Sequence, residues 1–208
     1  MEFITITKDE AMKMINDFKG DSITVKIIQN QKETNKIPVG DVEIGQTICN
    51  GKYVVVDRYA HGDTCIVRKG TITQAQDIRF GETNKWGESN LRKYLNTEYL
   101  KEIMDEFGEI ELHTVDMLSM DGDDSYGKCE NLVSAMTFDR WRKYHKYIGN
   151  ADFIEWLSTP NQTEKLNDSR FVRIVYSDGR VGCNGCGWDG YGVRPFFILK
   201  SSILVSVD

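Results

Sequence analysis

The chain has 208 residues, enough for one well-buried domain with a small appendage and too few for two full-sized ones. Hydrophobic residues make up 40% and charged residues 28%, which argues against wholesale disorder, and a net charge of -6 argues against a protein that holds nucleic acid by neutralising phosphates. No apolar run reaches the length of a membrane span, the N-terminus shows no secretion-signal architecture, and five irregularly spaced cysteines suit a reducing cytoplasm better than a disulfide framework.

In chain order, residues 1–36 read as a small strand-helix-strand unit that could anchor the protein to an assembly. Thr7 with Glu10 three positions on forms a capping pattern, apolar residues follow at helical spacing to Phe18, and the β-branched run Ser22 to Gln29 reads as a strand. The main domain is expected over 37–208. Asp41 to Ile48, Lys52 to Tyr59 and Asp63 to Lys69 read as an antiparallel meander, punctuated by the turn dipeptides Asn50-Gly51 and His61-Gly62. Ser89 is placed to cap a helix carrying Leu91, Tyr94 and Leu95, and a second helix is expected from Thr97 to Phe107. Two helices after a meander give an α+β domain.

Further on, Glu109 to Leu118 reads as a strand, Ser119 to Lys128 as an acidic turn, and Asn131 to Tyr147 as a mixed, partly helical segment. The basic cluster Arg140 to Lys146 within it fits the solvated face of a helix or turn better than a nucleic-acid patch. Asp152 to Leu157 reads as a short strand closed by Ser158-Thr159-Pro160. The C-terminal part reads as a strand, Phe171 to Tyr176, a turn at Ser177-Asp178-Gly179, a glycine-rich loop from Gly182 to Gly192, and a closing pair of strands through Phe196 to Val207.

A set of these residues carries a resemblance. The segment Trp86-x-x-Ser89-x-Leu91-Arg92-x-Tyr94-Leu95-Asn96, the Leu118-Ser119 and Tyr126-Gly127 pairs, Trp156-Leu157-Ser158-Thr159-Pro160, and Tyr191-Gly192-Val193-Arg194-Pro195 come in an order that resembles a domain family of unknown function from gut Firmicutes and their phages. That family is similar to the C-type-lectin-like fold shared by sulfatase-modifying (formylglycine-generating) proteins and the variable receptor-binding proteins of phages. The resemblance spans roughly residues 38 to 205. It implies a C-type-lectin-like domain and a place on a phage particle, with the protein made in the cytoplasm and associated with virions. Ser158 stands where family members often carry an arginine, so nothing is carried over for that position.

The residues themselves suggest several sites. Arg194, just before an apolar strand, can hold carbonyls or a carboxylate and tie the long loop to the domain; Arg92 and Asn96 share one helical face and suit packing and capping. Cys183-x-x-Cys186 has the spacing of half a zinc site or a redox pair, but lacks a second ligand pair or a following helix. Asp121-Gly122-Asp123-Asp124-Ser125 has oxygens of the kind calcium prefers but departs from the EF-hand spacing, so a solvated acidic turn and no cofactor are expected, with calcium as the alternative. No catalytic set emerges. Asp178, Arg180, Asn184, Trp188, Asp189 and Tyr191 remain as a candidate binding surface, with rings to stack on and polar groups to give direction. The alternative is that Trp188 and Tyr191 fold back over the sheet.

These readings lead to one principal expectation and two alternatives. The first is a non-enzymatic module that binds a protein or glycan ligand, homo-oligomeric, alongside other phage structural proteins and contacting neither nucleic acid nor membrane. The alternatives are a structural virion component such as a capsid decoration protein, and a formylglycine-generating-like cysteine or metal enzyme resting on Cys183 and Cys186.

Overall fold

A computed structural model describes Lys13 and residues 36–208, apart from 73, 74 and 76. The chain divides into two units, Met1–Thr34 and Asn35–Asp208. The strand-helix-strand reading of residues 1–36 lies outside the described residues, save Lys13 and Lys36.

The second unit is α+β. Its centre is a five-stranded antiparallel sheet in the order β2-β3-β4-β11-β7, built from β2 (Thr47–Ile48), β3 (Tyr53–Arg58), β4 (Thr64–Arg68), β7 (Val133–Ala135) and β11 (Pro195–Leu199). The runs Tyr-Val-Val-Val, Cys-Ile-Val and Phe-Phe-Ile-Leu are continuous rather than alternating because both faces of this sheet are covered. Tyr53, Val55, Ile66, Phe197 and Leu199 face one core; Val54, Val56, Cys65, Val67, Phe196 and Ile198 face another.

Helix α1 (Asn90–Leu95) and helix α2 (Glu98–Phe107) cover the first face. Ser89 caps α1, its hydroxyl accepting from the Arg92 amide at 3.0 Å, and Leu91 and Leu95 are buried. In α2, Tyr99, Ile103 and Phe107 recur every four residues and go into the core, where each side chain contributes about 1.5–3 kcal/mol. Trp86, in a short 3₁₀ turn before α1, is fully buried.

Helix α3 (Phe138–Ile148) covers the second face with Trp141, Tyr144 and Ile148. This is a sharper outcome than the mixed segment expected over Asn131 to Tyr147. The Thr137 hydroxyl accepts from Arg140 N–H at 3.1 Å and Gly149, at φ 63°, ends the helix. The cluster Arg140 to Lys146 is helical; Arg142 pairs with Asp139 at 2.7 Å and Lys143 with Asp57 at 2.6 Å, both on its solvent side.

Three smaller sheets complete the unit beside this one. Strands β5 (His113–Asp116) and β6 (Lys128–Asn131) form a hairpin, and β8 (Glu155–Pro160), β9 (Phe171–Val175) and β10 (Val181–Gly185) form a three-stranded sheet in the order β10-β9-β8. Strand β1 (Lys36–Pro38) pairs with β12 (Leu204–Ser206).

Several expected boundaries shift. Asp41 to Ile48 is mostly turn, because Val39–Asp41 is a 3₁₀ turn and Gly45 sits at φ 96°, leaving two residues of strand. The strand expected over Glu109 to Leu118 holds only four residues, His113–Asp116. The strand expected over Asp152 to Leu157 runs instead from Glu155 through Pro160, which pairs with Val172 beyond a register shift. The loop expected from Gly182 onward begins as β10, because its backbone pairs with β9 along the whole of Val181–Gly185. The two closing strands expected through Phe196 to Val207 are present as β11 and β12, which pair with β4 and β7 and with β1 respectively.

Candidate functional site

The site is built on the β9–β10 hairpin and the segment that leaves it. At the hairpin turn the Asp178 carboxylate accepts from the Arg180 amide at 3.1 Å and from Arg180 Nε at 2.7 Å, while the guanidinium lies 5.1 Å from the Tyr176 ring centre. The Arg180 contacts hold the Asp178 carboxyl below its usual range. Both side chains are exposed.

Beyond β10 the chain is pinned by Cys186. Its amide donates to Arg170 O at 2.7 Å, its carbonyl accepts from Gly81 N–H at 3.0 Å, and its buried thiol points at Glu82 O, 3.5 Å away. Burial pushes this thiol above its ordinary pKa. A tight turn follows, closed by Trp188 N–H donating to Gly185 O at 3.0 Å. The indole lies over Gly185, where an added Cβ would come within 3.1 Å of Trp188 Cδ1. Trp188 is 63% exposed, the highest value for a large hydrophobic side chain among the described residues.

Beside it opens a shallow cleft of about 400 Å³ lined by Glu82, Arg170, Cys186, Trp188 and Asp189 together with the backbone of Gly185 and Gly187. Its charges are held loosely: Arg170 Nε stands 3.5 Å from Asp168, and Glu82 pairs with Arg79 on the surface at 2.5 Å. Such exposed pairs cost little to rearrange around a ligand.

Tyr191 takes the opposite course from Trp188. Its ring meets the buried Trp156 edge-on, with centroids 4.9 Å apart, and its hydroxyl accepts from the Asn184 amide. The two alternatives weighed for these aromatics are thus divided between them. Of the six candidate residues, the structure brings Trp188 and Asp189 to the cleft, joins Asn184 to Tyr191, and leaves Asp178 with Arg180 at the far end of β10, about 17 Å along the strand at 3.3 Å per residue. Neither Glu82 nor Arg170 stands out in the sequence: Glu82 lies about a hundred positions before Trp188, and Arg170 comes close only because β9 and β10 pair as a hairpin.

The three residues read as structural are all deeply engaged. Arg194 is fully buried; its Nε and Nη2 donate to the two oxygens of buried Glu155 at 2.8 and 2.6 Å, and Nη1 donates to the carbonyls of Gly149 (3.0 Å) and Ile148 (3.3 Å). Arg92 reaches Asn131 Oδ1 at 2.8 Å and Glu130 O at 3.0 Å, and Asn96 spans from α1 to β7.

Cys183 is exposed and Cys186 buried, and both are free thiols. In the acidic turn, Asp121 accepts from the Ser119 hydroxyl, while Asp123 accepts from Ser125 N–H at 2.7 Å and pairs with Lys165 at 3.3 Å. Among the described residues no three His, Cys, Asp or Glu side chains converge as a metal site, and no helix is long and apolar enough to cross a membrane. No protein-family model, curated protein or solved structure matches the chain.

Proposed function

We propose that Asn35–Asp208 is a C-type-lectin-like, non-enzymatic binding module, carried on a phage particle, that engages a glycan or a protein epitope through the Trp188 cleft. The observation that carries the reading is the exposure of Trp188. An indole left 63% accessible on a turn braced by Cys186 offers a stacking platform already in place, so little conformational entropy is lost on binding. Glu82, Arg170 and Asp189 surround it with hydrogen-bonding groups of both signs, the composition that gives direction to an aromatic contact.

Binding of the purified chain to host cells and to a glycan array tests this. Trp188→Ala is expected to weaken binding by a factor of ten or more, about 1.4 kcal/mol. Its thermal midpoint should stay that of the parent, since the ring contributes little to the core. Asp178→Ala, at the distant turn, should bind as the parent does. Periodate treatment of the cells removes a glycan ligand and protease treatment a protein one. Unchanged binding by Trp188→Ala would defeat the assignment.

A further inference from the structure

Several sheet borders in this unit are closed among the described residues. The outer side of β8 is taken by Gly192, which accepts from Trp156 N–H at 2.9 Å and donates to Ile154 O at 2.8 Å, and by Met136 O, which accepts from Ser158 N–H at 2.9 Å. The Asn96 side chain caps the border at Leu132 and Val133, Arg92 covers Glu130 O, and Cys49 N–H is bonded to Ser206 O at 3.0 Å.

The outer side of β10 is different. Tyr176 N–H donates to Arg180 O at 2.8 Å and Cys186 N–H to Arg170 O at 2.7 Å, and between these the register pairs Gly182 with Ile174 and Asn184 with Val172. Even-numbered residues therefore exchange bonds with β9, and the odd-numbered ones turn their amides and carbonyls outward. Gly185 satisfies its own, through Asn184 Oδ1 at 2.7 Å and Trp188 N–H at 3.0 Å. Val181 and Cys183 are left, two N–H and two C=O groups without a partner among the described residues. None of the usual protections is present: β10 holds no proline, no charge and no register shift, and Cys183 is exposed.

We propose that β10 is a dimerisation edge, on which a second copy of this chain lays its own β10 antiparallel, with Gly182 facing its counterpart. A twofold axis at Gly182 sets Val181 opposite the partner's Cys183, so every open donor meets an open acceptor and four hydrogen bonds form. Gly182 sits at the close, non-hydrogen-bonded position, where β10 itself puts no side chain between the strands and the Tyr176 ring lies where a Cβ would be. Arg180 falls opposite the partner's Asn184, so no like charges meet. A register centred on Cys183 would instead call on the groups of Gly185 that are already engaged. This self-complementarity favours a second copy over an unrelated extended peptide, and it joins two three-stranded sheets into one of six.

Sedimentation of the full chain is expected to show a dimer that dissociates on dilution. Cys183→Pro removes an outward N–H and leaves the β9 ladder untouched; it should sediment as a monomer with an unchanged circular dichroism spectrum. Val181→Cys places a thiol opposite the partner's Cys183 in a hydrogen-bonded pair about 5.5 Å apart at Cα, within disulfide reach. Mild oxidation should link it covalently, and adding Cys183→Ser should abolish the link. A native chain that stays monomeric at all concentrations overturns the proposal and leaves the edge to a strand from another protein. So does ready formation of a disulfide between the two native Cys183 thiols, which the Gly182 register holds diagonally apart.

Discussion

Arg194 and Glu155 are each 0% exposed, and their bidentate contact is the one ion pair of this depth among the described residues. The desolvation of two such charges is offset only while each has the other, so removing one partner leaves an uncompensated buried charge. Glu155→Gln is expected to cost about 3–5 kcal/mol in urea unfolding. Arg194→Lys should also destabilise, because an ammonium keeps the charge but cannot span both carboxylate oxygens and the Gly149 and Ile148 carbonyls at once. A loss below 1 kcal/mol for both variants would show that neither buried charge depends on the other in this way. The arginine stands out in the sequence, held between Val193 and Pro195, whereas its carboxylate partner lies 39 positions away inside an apolar run. A lone glutamate in Phe-Ile-Glu-Trp-Leu is the signal that was there to be read. The Trp188 and Tyr191 contrast was not readable at all, since it depends on whether Trp156 and Asn184 stand within reach.

Among elements, α1 shows how a local and a distant cap differ in weight. Ser89 satisfies one amide at the start of the helix, and Ser89→Ala should cost about 1 kcal/mol. Asn96 closes the other end and more: its amide donates to Arg92 O at 2.9 Å and Val133 O at 2.8 Å, while its oxygen accepts from the amides of Leu132 and Val133, both at 3.1 Å. Asn96→Ala strands several backbone groups, at about 1–3 kcal/mol for each left buried, and its urea-unfolding loss should exceed that of Ser89→Ala at least twofold. Equal losses would mean that water replaces the amide at β7. The Ser89 cap and the apolar spacing of α1 and α2 are local features, and both helices were legible for that reason. α3 was blurred because basic residues interrupt its apolar positions, and β10 because Val-Gly-Cys-Asn-Gly has neither alternation nor β-branched density.

At the scale of the whole molecule, the α+β class and the β3–β4 hairpin follow from short-range pattern, but the sheet order does not. Strand β11 inserts between β4 and β7, and β1 closes onto β12; the β11–β4 and β1–β12 pairings bring together residues more than a hundred positions apart in sequence. Continuous apolar runs such as Pro195–Leu199 announced burial on both faces; which neighbours supply it is a property of the assembled core. That core also sets the response to acid. His113, on β5, is buried, with Nε2 2.8 Å from the Ser134 hydroxyl, its ring centre 5.0 Å from that of Phe196 in a T-shaped contact, and Nδ1 without a partner among the described residues. Burial, with a smaller contribution from the Arg140 guanidinium, lowers its pKa to about 3. An unfolded histidine titrates near 6.5, so between these values the unfolded chain binds the extra proton. Stability therefore rises with pH across this window, by up to about 1.4 kcal/mol per unit, is fully present above about pH 6.5, and drains away as the pH falls. Urea unfolding at pH 5 should give a free energy about 2 kcal/mol below that at pH 7, ahead of the carboxylates Asp57 and Asp152, whose lowered values place their loss further into acid. His113→Gln removes the titrating group while keeping a hydrogen-bonding side chain toward Ser134, and it should flatten the dependence between pH 7 and 5 even if it lowers stability throughout. An unchanged slope in that variant would place the acid sensitivity elsewhere in the fold.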